Sequence, residues 1–245
     1  PTSWSWSFPG GTPSSSSAQH PVVTYSLPGT YAVTLIVANS GGSDTLTRNA
    51  YITVVQLPPV ADFTASATTV SLGDAITFTD LSTNTPTSWS WSFPGGTPSS
   101  SSVQHPVVTY NIPGTYTVSL TVSNTGGTDT RTVVDLITVL PDAPVADFTA
   151  SATTAGVGDA ITFTDLSTNA PTSWSWSFPG GTPSSSSVQH PVVTYNIPGT
   201  YTVSLTVSNA GGTDTRTVVD LITVLPDAPV ADFTASATTV SLGDA

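Results

Sequence analysis

Three histidines, His20, His105 and His190, each follow a run of serines at residues 14–17, 99–102 and 184–187. Serine beside histidine is the raw material of a nucleophilic triad, in which an imidazole takes the hydroxyl proton. That chemistry needs a sharp turn to present the serine and donors to hold an oxyanion. No Gly-x-Ser-x-Gly accompanies these runs. Catalysis is not expected, and each histidine reads as a loop residue that hydrogen-bonds backbone ahead of a proline.

The fifteen acidic residues are all Asp, which raises calcium. Asp62, Asp74 and Asp80 fall near predicted strand ends and Asp142 in a linker. Calcium takes six to eight oxygens, more than these four carboxylates supply alone, and no EF-hand spacing is present. They are retained as calcium candidates, against the simpler reading of turn and cap chemistry, in which Asp bonds its own backbone. No cofactor is expected.

The pairs Trp4/Trp6, Trp89/Trp91 and Trp174/Trp176 would serve as sugar-stacking platforms if exposed. They alternate with serine and share a face with Phe8, Phe93 and Phe178, so core packing is favoured. The core signature is Trp89, Trp91, Phe93 and Tyr116, repeated as Trp174, Trp176, Phe178 and Tyr201. The Pro- and Ser-rich stretch of Thr97, Ser99, Ser100, Ser101 and Ser102 reads as a loop, available for O-linked glycans or for contact with a neighbouring chain.

These residues recur because the sequence does. Residues 86–160 and 171–245 differ only at Thr125/Ala210, Ala155/Val240, Gly156/Ser241 and Val157/Leu242, an offset of 85 (171 − 86 = 85). A period this long is a small domain rather than a solenoid turn. Within one period the alternations Ala61-Phe63-Ala65, Ile76-Phe78, Trp89-Trp91-Phe93 and Tyr116-Val118-Leu120-Val122 predict strands with one apolar face each. Asn124-Thr125-Gly126-Gly127 predicts a hairpin turn. About seven short strands describe an all-β sandwich.

The chain has no Glu, Lys, Cys or Met, and only Arg48, Arg131 and Arg216 are basic. The missing helix formers support the all-β class. A net charge of −12 argues against nucleic acid, whose phosphates need cations. No apolar run is long enough to span a bilayer, so no membrane insertion is expected within this segment. Boundaries are expected at 1–57 (incomplete, without its first two strands), 58–141, 142–226 and 227–245 (a first strand). The short linkers carry two prolines each and predict stiff, linear coupling of the sandwiches. This phase predicts a window on a longer tandem protein; head-to-tail complementation of subunits is the other reading, and it would leave out a counterpart of residues 76–85.

The order Trp89-Ser90-Trp91-Ser92-Phe93-Pro94-Gly95-Gly96, Gln104-His105-Pro106 before Tyr110, and residues 113–124 resembles the PKD (polycystic kidney disease) domain; Val60-Ala61-Asp62-Phe63 and Gly73-Asp74 also fit. Both acidic positions of the family's Trp-Asp-Phe-Gly-Asp-Gly are lost here, and His stands where Asn is frequent before the proline. The resemblance implies tandem immunoglobulin-like sandwiches, an extracellular or cell-surface location, spacing or adhesion, and no catalysis. The resulting expectation is a structural rod that self-associates, head to tail or laterally, into a filament, sheath or adhesive stalk. The alternative is an accessory module of a secreted hydrolase that contacts polysaccharide or a surface protein.

Overall fold

The computed structural model describes residues 1–243, which form strands, turns and extended segments, with no helix among them. Two compact units divide the chain, Pro1–Val139 and the residues from Leu140 onward.

The first unit contains a complete sandwich. One sheet runs in the order Ser100–Ser101, Ser88–Ser92, Gly114–Asn124, Gly127–Leu140, Thr69–Ser71. The other runs Gly96–Thr97, Val107–Tyr110, Ala75–Asp80, Phe63–Ala65. The Trp-bearing strand pairs antiparallel with Gly114–Asn124, placing Trp91 opposite Leu120 and Ser90 opposite Thr121. Because strand side chains alternate, this register sends indoles inward and hydroxyls outward.

The core follows from that alternation. Trp91 is 1% exposed and lies 5.2 Å from Phe63 and 5.6 Å from Phe93, centroid to centroid. Phe78 closes the cluster at 4.8 Å from Phe93, with Ile76, Val118, Leu120, Val122 and Ile137 packed around it. Burying such side chains contributes about 1.5–3 kcal/mol each. The second unit repeats the arrangement with Phe148, Phe163, Trp176 and Phe178. In it the outer strand Thr154–Gly156 runs parallel to Gly212–Leu225.

Two details differ from the sequence reading. The complete sandwich has nine strands rather than about seven, because residues 97–104 are not loop throughout. Gly96–Thr97 pairs with Val107–Tyr110, and Ser100–Ser101 pairs with the Trp-bearing strand. Ser and Pro composition hides such two-residue pairings, which neighbouring strands impose. The last strand also carries an irregularity: Tyr116 faces Ile137 but Val118 faces Val133. The surplus residues are absorbed at Asp135, which takes a φ of 53°.

Residues 1–57 form one four-stranded sheet, ordered Ser15–Ser16, Ser3–Ser7, Gly29–Asn39, Gly42–Val54, plus the pair Gly11–Thr12 and Thr24–Tyr25. Phe8 is buried, while Trp4 and Trp6 remain half-buried.

Candidate functional site

Each complete sandwich holds a buried carboxylate that accepts hydrogen bonds on both oxygens. Asp80, 8% exposed, ends the strand Ala75–Asp80 beneath the Trp-bearing strand. Trp89 Nε1 donates to its Oδ2 at 2.7 Å, Gln104 Nε2 donates to the same oxygen at 3.0 Å, and the Ser82 amide donates to Oδ1 at 3.0 Å. Burial alone pushes this carboxyl upward; the bonds from Ser82, Gln104 and Trp89 outweigh it and hold it below the usual range. Asp165 repeats the arrangement with Trp174, Gln189 and Ser167.

His105 Nδ1 accepts the Asp80 backbone N–H at 3.1 Å, and His190 does the same for Asp165. The imidazole therefore spends its acceptor nitrogen on the backbone. The nearby serines bond elsewhere: the Ser99 carbonyl accepts from the Phe93 amide, and Ser101 Oγ accepts from the Val103 amide.

The four calcium candidates are spread apart. Asp62 pairs with Arg131 at 2.8 Å, Asp74 accepts the Ser71 amide at 2.9 Å, Asp80 has the partners above, and the Asp142 side chain is exposed. Among the described residues no group of three His, Cys, Asp or Glu side chains is close enough to hold a metal ion. The Trp91 indole N–H donates to the Val103 carbonyl at 3.0 Å, so that ring is fully engaged inside.

Tyr116 and Tyr201 stand at the edge of the core. Tyr116 donates its hydroxyl to the Ile112 carbonyl four residues back at 2.6 Å, pinning the turn, and Tyr201 does so to Ile197. Its ring leaves no room over Gly95, where φ is 80° and an added Cβ would lie 2.5 Å from Tyr116 Cε1. Only glycine meets both conditions comfortably. Tyr110, against that ring, has a buried hydroxyl without a partner, and burial followed by the neighbouring Tyr116 pushes its phenol up to about 12.

A feature the sequence did not disclose is how the linkers seat. In the first unit Asn124 Nδ2 donates to the carbonyls of Leu57 (2.9 Å) and Asn84 (2.7 Å), and Asp129 accepts the Ala61 amide at 2.8 Å. Thr125 Oγ1 donates to Gln56 Oε1 at 2.7 Å. Gly126 lies directly beneath the Gln56 carbonyl, with no space for a Cβ. In the second unit Asn209 holds the carbonyls of Asp142 and Asn169, Asp214 accepts the Ala146 amide, and Gly211 lies beneath the Pro141 carbonyl. Where Gln56 becomes Pro141, Thr125 becomes Ala210. The recurring Asn-x-Gly-Gly was the available signal, though it signals a hairpin equally well.

The outer face of the Trp-bearing sheet is a grid of hydroxyls. The register sets Ser88, Ser123 and Thr128 in one row, Ser90, Thr121 and Thr130 in the next, and Ser92, Ser119 and Thr132 in a third. Within these rows Ser88 and Ser123 hydroxyls are 2.6 Å apart, and Thr121 and Thr130 hydroxyls 2.8 Å. Ser100 extends the third row at the sheet edge. The second unit carries the same grid, whereas Ile36 and Ala38 interrupt it in residues 1–57.

Comparison with family profiles agrees with this architecture. A PKD domain profile matches residues 56–139 and 141–224, and a second PKD profile matches residues 1–52. No curated protein sequence matches the chain. Among solved structures, an I-band fragment of titin is 12% identical, with a TM-score of 0.49 over 81% of this chain and 75% of that one. The four N-terminal Ig domains of Dscam1 isoform 6.9 are 12% identical, with a TM-score of 0.42 over 91% and 64%. Murine CEACAM1b is 15% identical, with a TM-score of 0.37 over 67% and 100%. PKD domains are typically extracellular, generally non-catalytic modules, and no helix of the described residues is long and apolar enough to cross a membrane. With profile matches on three successive stretches that cover most of its length, the chain belongs to the PKD domain family, as a tandem array of that domain.

Proposed function

We propose that this chain is an extracellular structural protein whose near-identical PKD repeats self-associate, head to tail or laterally, into a surface filament, sheath or adhesive stalk. The observation that carries the reading is surface uniformity. Residues 86–160 and 171–245 differ at four positions, so the outward serines and threonines are duplicated along with the core. Core packing alone does not require identical surfaces, because exposed substitutions usually change stability by less than about 0.5 kcal/mol. Repeated faces in a row suit multivalent contact, in which avidity exceeds the affinity of one site. Heterologous contacts that do not close generate filaments. The engaged histidines and buried indoles support a role without catalysis.

Low-dose imaging of the native material tests this. Filaments with an axial spacing of one sandwich length are expected. Dispersed, unassembled particles would count against it.

The alternative, an accessory module on insoluble polysaccharide, is favoured by one feature: the uncharged hydroxyl grid offers only hydrogen-bond donors and acceptors. Retention on chitin or cellulose, lost on replacing Ser90 and Thr121 by Asp, would select that reading.

A further inference from the structure

Charge is kept off the outer face of the Trp-bearing sheet. Residues 58–141 hold five Asp and one Arg. Asp62 pairs with Arg131, Asp74 accepts the Ser71 amide, and Asp80 is buried. Asp129 and Arg131 stand in register with Val122 and Leu120, so both leave the strand on its inner side. Asp135 lies in the bulge, beyond the third hydroxyl row. The three rows contain only Ser and Thr.

This face is level and open to a partner. Its side chains are short, and the indoles of Trp89 and Trp91 leave from the other side, so no aromatic platform for a sugar ring projects from it. Ser88 bonds Ser123 and Thr121 bonds Thr130, whereas the hydroxyls of Ser90, Ser92, Ser119 and Thr132 have no partner among the described residues. Neighbouring strands lie ~4.8 Å apart and same-face residues along a strand ~6.7 Å, so each grid covers roughly 300 Å². Two grids pressed together hide roughly 600 Å² in total, about half of the ~1,200 Å² at which stable interfaces begin. One pair of grids is therefore too small to hold two chains together, and several pairs per chain are needed.

We propose that the hydroxyl grids of one copy of this chain pack face to face on the same grids of a second copy. A hydroxyl both donates and accepts, so a face made of hydroxyls is complementary to itself. The two lattices have identical spacings, so their rows coincide in an isologous pairing. Thr121 is the middle position of the middle row, and a two-fold axis through the contact sets it against its own counterpart. Thr206 has that place in the second unit. Residues 86–132 and 171–217 differ only at Thr125/Ala210, outside the rows, so any of these grids fits any other. With a net charge of −12 on each copy, an ion-free face is where approach meets least repulsion.

This deepens the proposed self-association by naming its surface, and it rests on that reading. The test uses two full-length variants, Thr121→Asp with Thr206→Asp, and Thr121→Lys with Thr206→Lys. Each sets like charges against each other in the pairing, whereas a mixture of the two sets Asp against Lys. Sedimentation velocity from micromolar to millimolar concentration should show concentration-dependent oligomers of the parent. Either variant alone should associate about tenfold more weakly or worse, and their mixture should recover association that then falls as salt is added. Circular dichroism and melting should stay close to the parent, since only the exposed bond to Thr130 is lost. Should a Thr121 variant fail to fold, Ser90 and Ser175, which are exposed, take the same substitutions. A parent that stays monomeric overturns the pairing and counts against self-association itself. Unchanged association of both variants, or a mixture no stronger than its components, overturns the pairing alone and leaves self-association through another face. A monomeric parent that is retained on chitin, with retention lost in the Asp variant, overturns the pairing in favour of polysaccharide.

Discussion

Asp80 shows how one side chain can hold a sheet edge, a loop and an indole together. Both of its oxygens accept hydrogen bonds, so Asp80→Asn must turn an NH₂ toward a donor. The substitution should cost about 1–3 kcal/mol, read as a fall in chemical-denaturation midpoint. The sign with pH follows from the lowered carboxyl. Stability from Asp80 is present above the unfolded value near ~3.9 and is lost as pH falls through the lower folded value. Acid titration of the parent should therefore destabilise it below about pH 4, and Asp80→Asn should flatten that slope. The tyrosines give the opposite contrast. Tyr110→Phe removes a buried hydroxyl without a partner and should be neutral or slightly stabilising, whereas Tyr116→Phe loses the bond to Ile112 and should cost about 0.5–1.5 kcal/mol. A stabilising Tyr116→Phe would refute the reading of that hydroxyl as a turn pin. The scattered carboxylates predict that a chelator shifts the melting temperature negligibly; a clear drop would reveal a cation held outside the partners seen here.

At the scale of elements, the hairpin at residues 124–127 works as a seat rather than only as a turn. Gly126→Ala would place a methyl against the Gln56 carbonyl, so residues 56–58 must lift. We expect the melting transition of this joint to fall by several degrees, since about 1 kcal/mol shifts a domain of this size by roughly 4–8 °C. Cleavage by protease near residues 55–59 should accelerate. Thr125→Ala, which loses only the bond to Gln56, should act more weakly. An unaltered cleavage rate in Gly126→Ala would show that the seat does not hold the linker. The strands themselves were legible because alternation leaves a period-two signature: Trp89, Trp91 and Phe93 against Ser88, Ser90 and Ser92 could be assigned to faces from order alone. The two-residue pairings at Gly96–Thr97 and Ser100–Ser101 were not legible, because neither has a period and both depend on neighbours. The linker seats were hidden for a different reason. Asn124 and Leu57 lie 67 positions apart, and their bond is between a side-chain amide and a backbone carbonyl, which leaves no residue-type signature at the receiving end. The Gln56/Pro141 and Thr125/Ala210 exchanges become meaningful as a matched pair only once that contact is seen.

For the whole molecule, charge and association oppose each other. The chain carries fifteen Asp against three Arg, a net charge of −12, so approaching copies repel at long range. The repeated hydroxyl grid proposed for lateral contact has no ionic side chain in its rows. Added salt should remove the opposing term and leave the attractive one. The screening length falls from ~10 Å at 0.1 M to ~3 Å at 1 M ionic strength, and excluded salts such as sulfate strengthen apolar burial as well. Self-association measured by light scattering should therefore rise with ionic strength at neutral pH, with sulfate acting more strongly than chloride. Lowering the pH toward the carboxylate range should act in the same direction by neutralising surface Asp, until protonation of Asp80 and Asp165 loosens the sandwiches and ends the trend. Association that instead weakens as salt is added would mean that attraction between opposite charges holds the copies together.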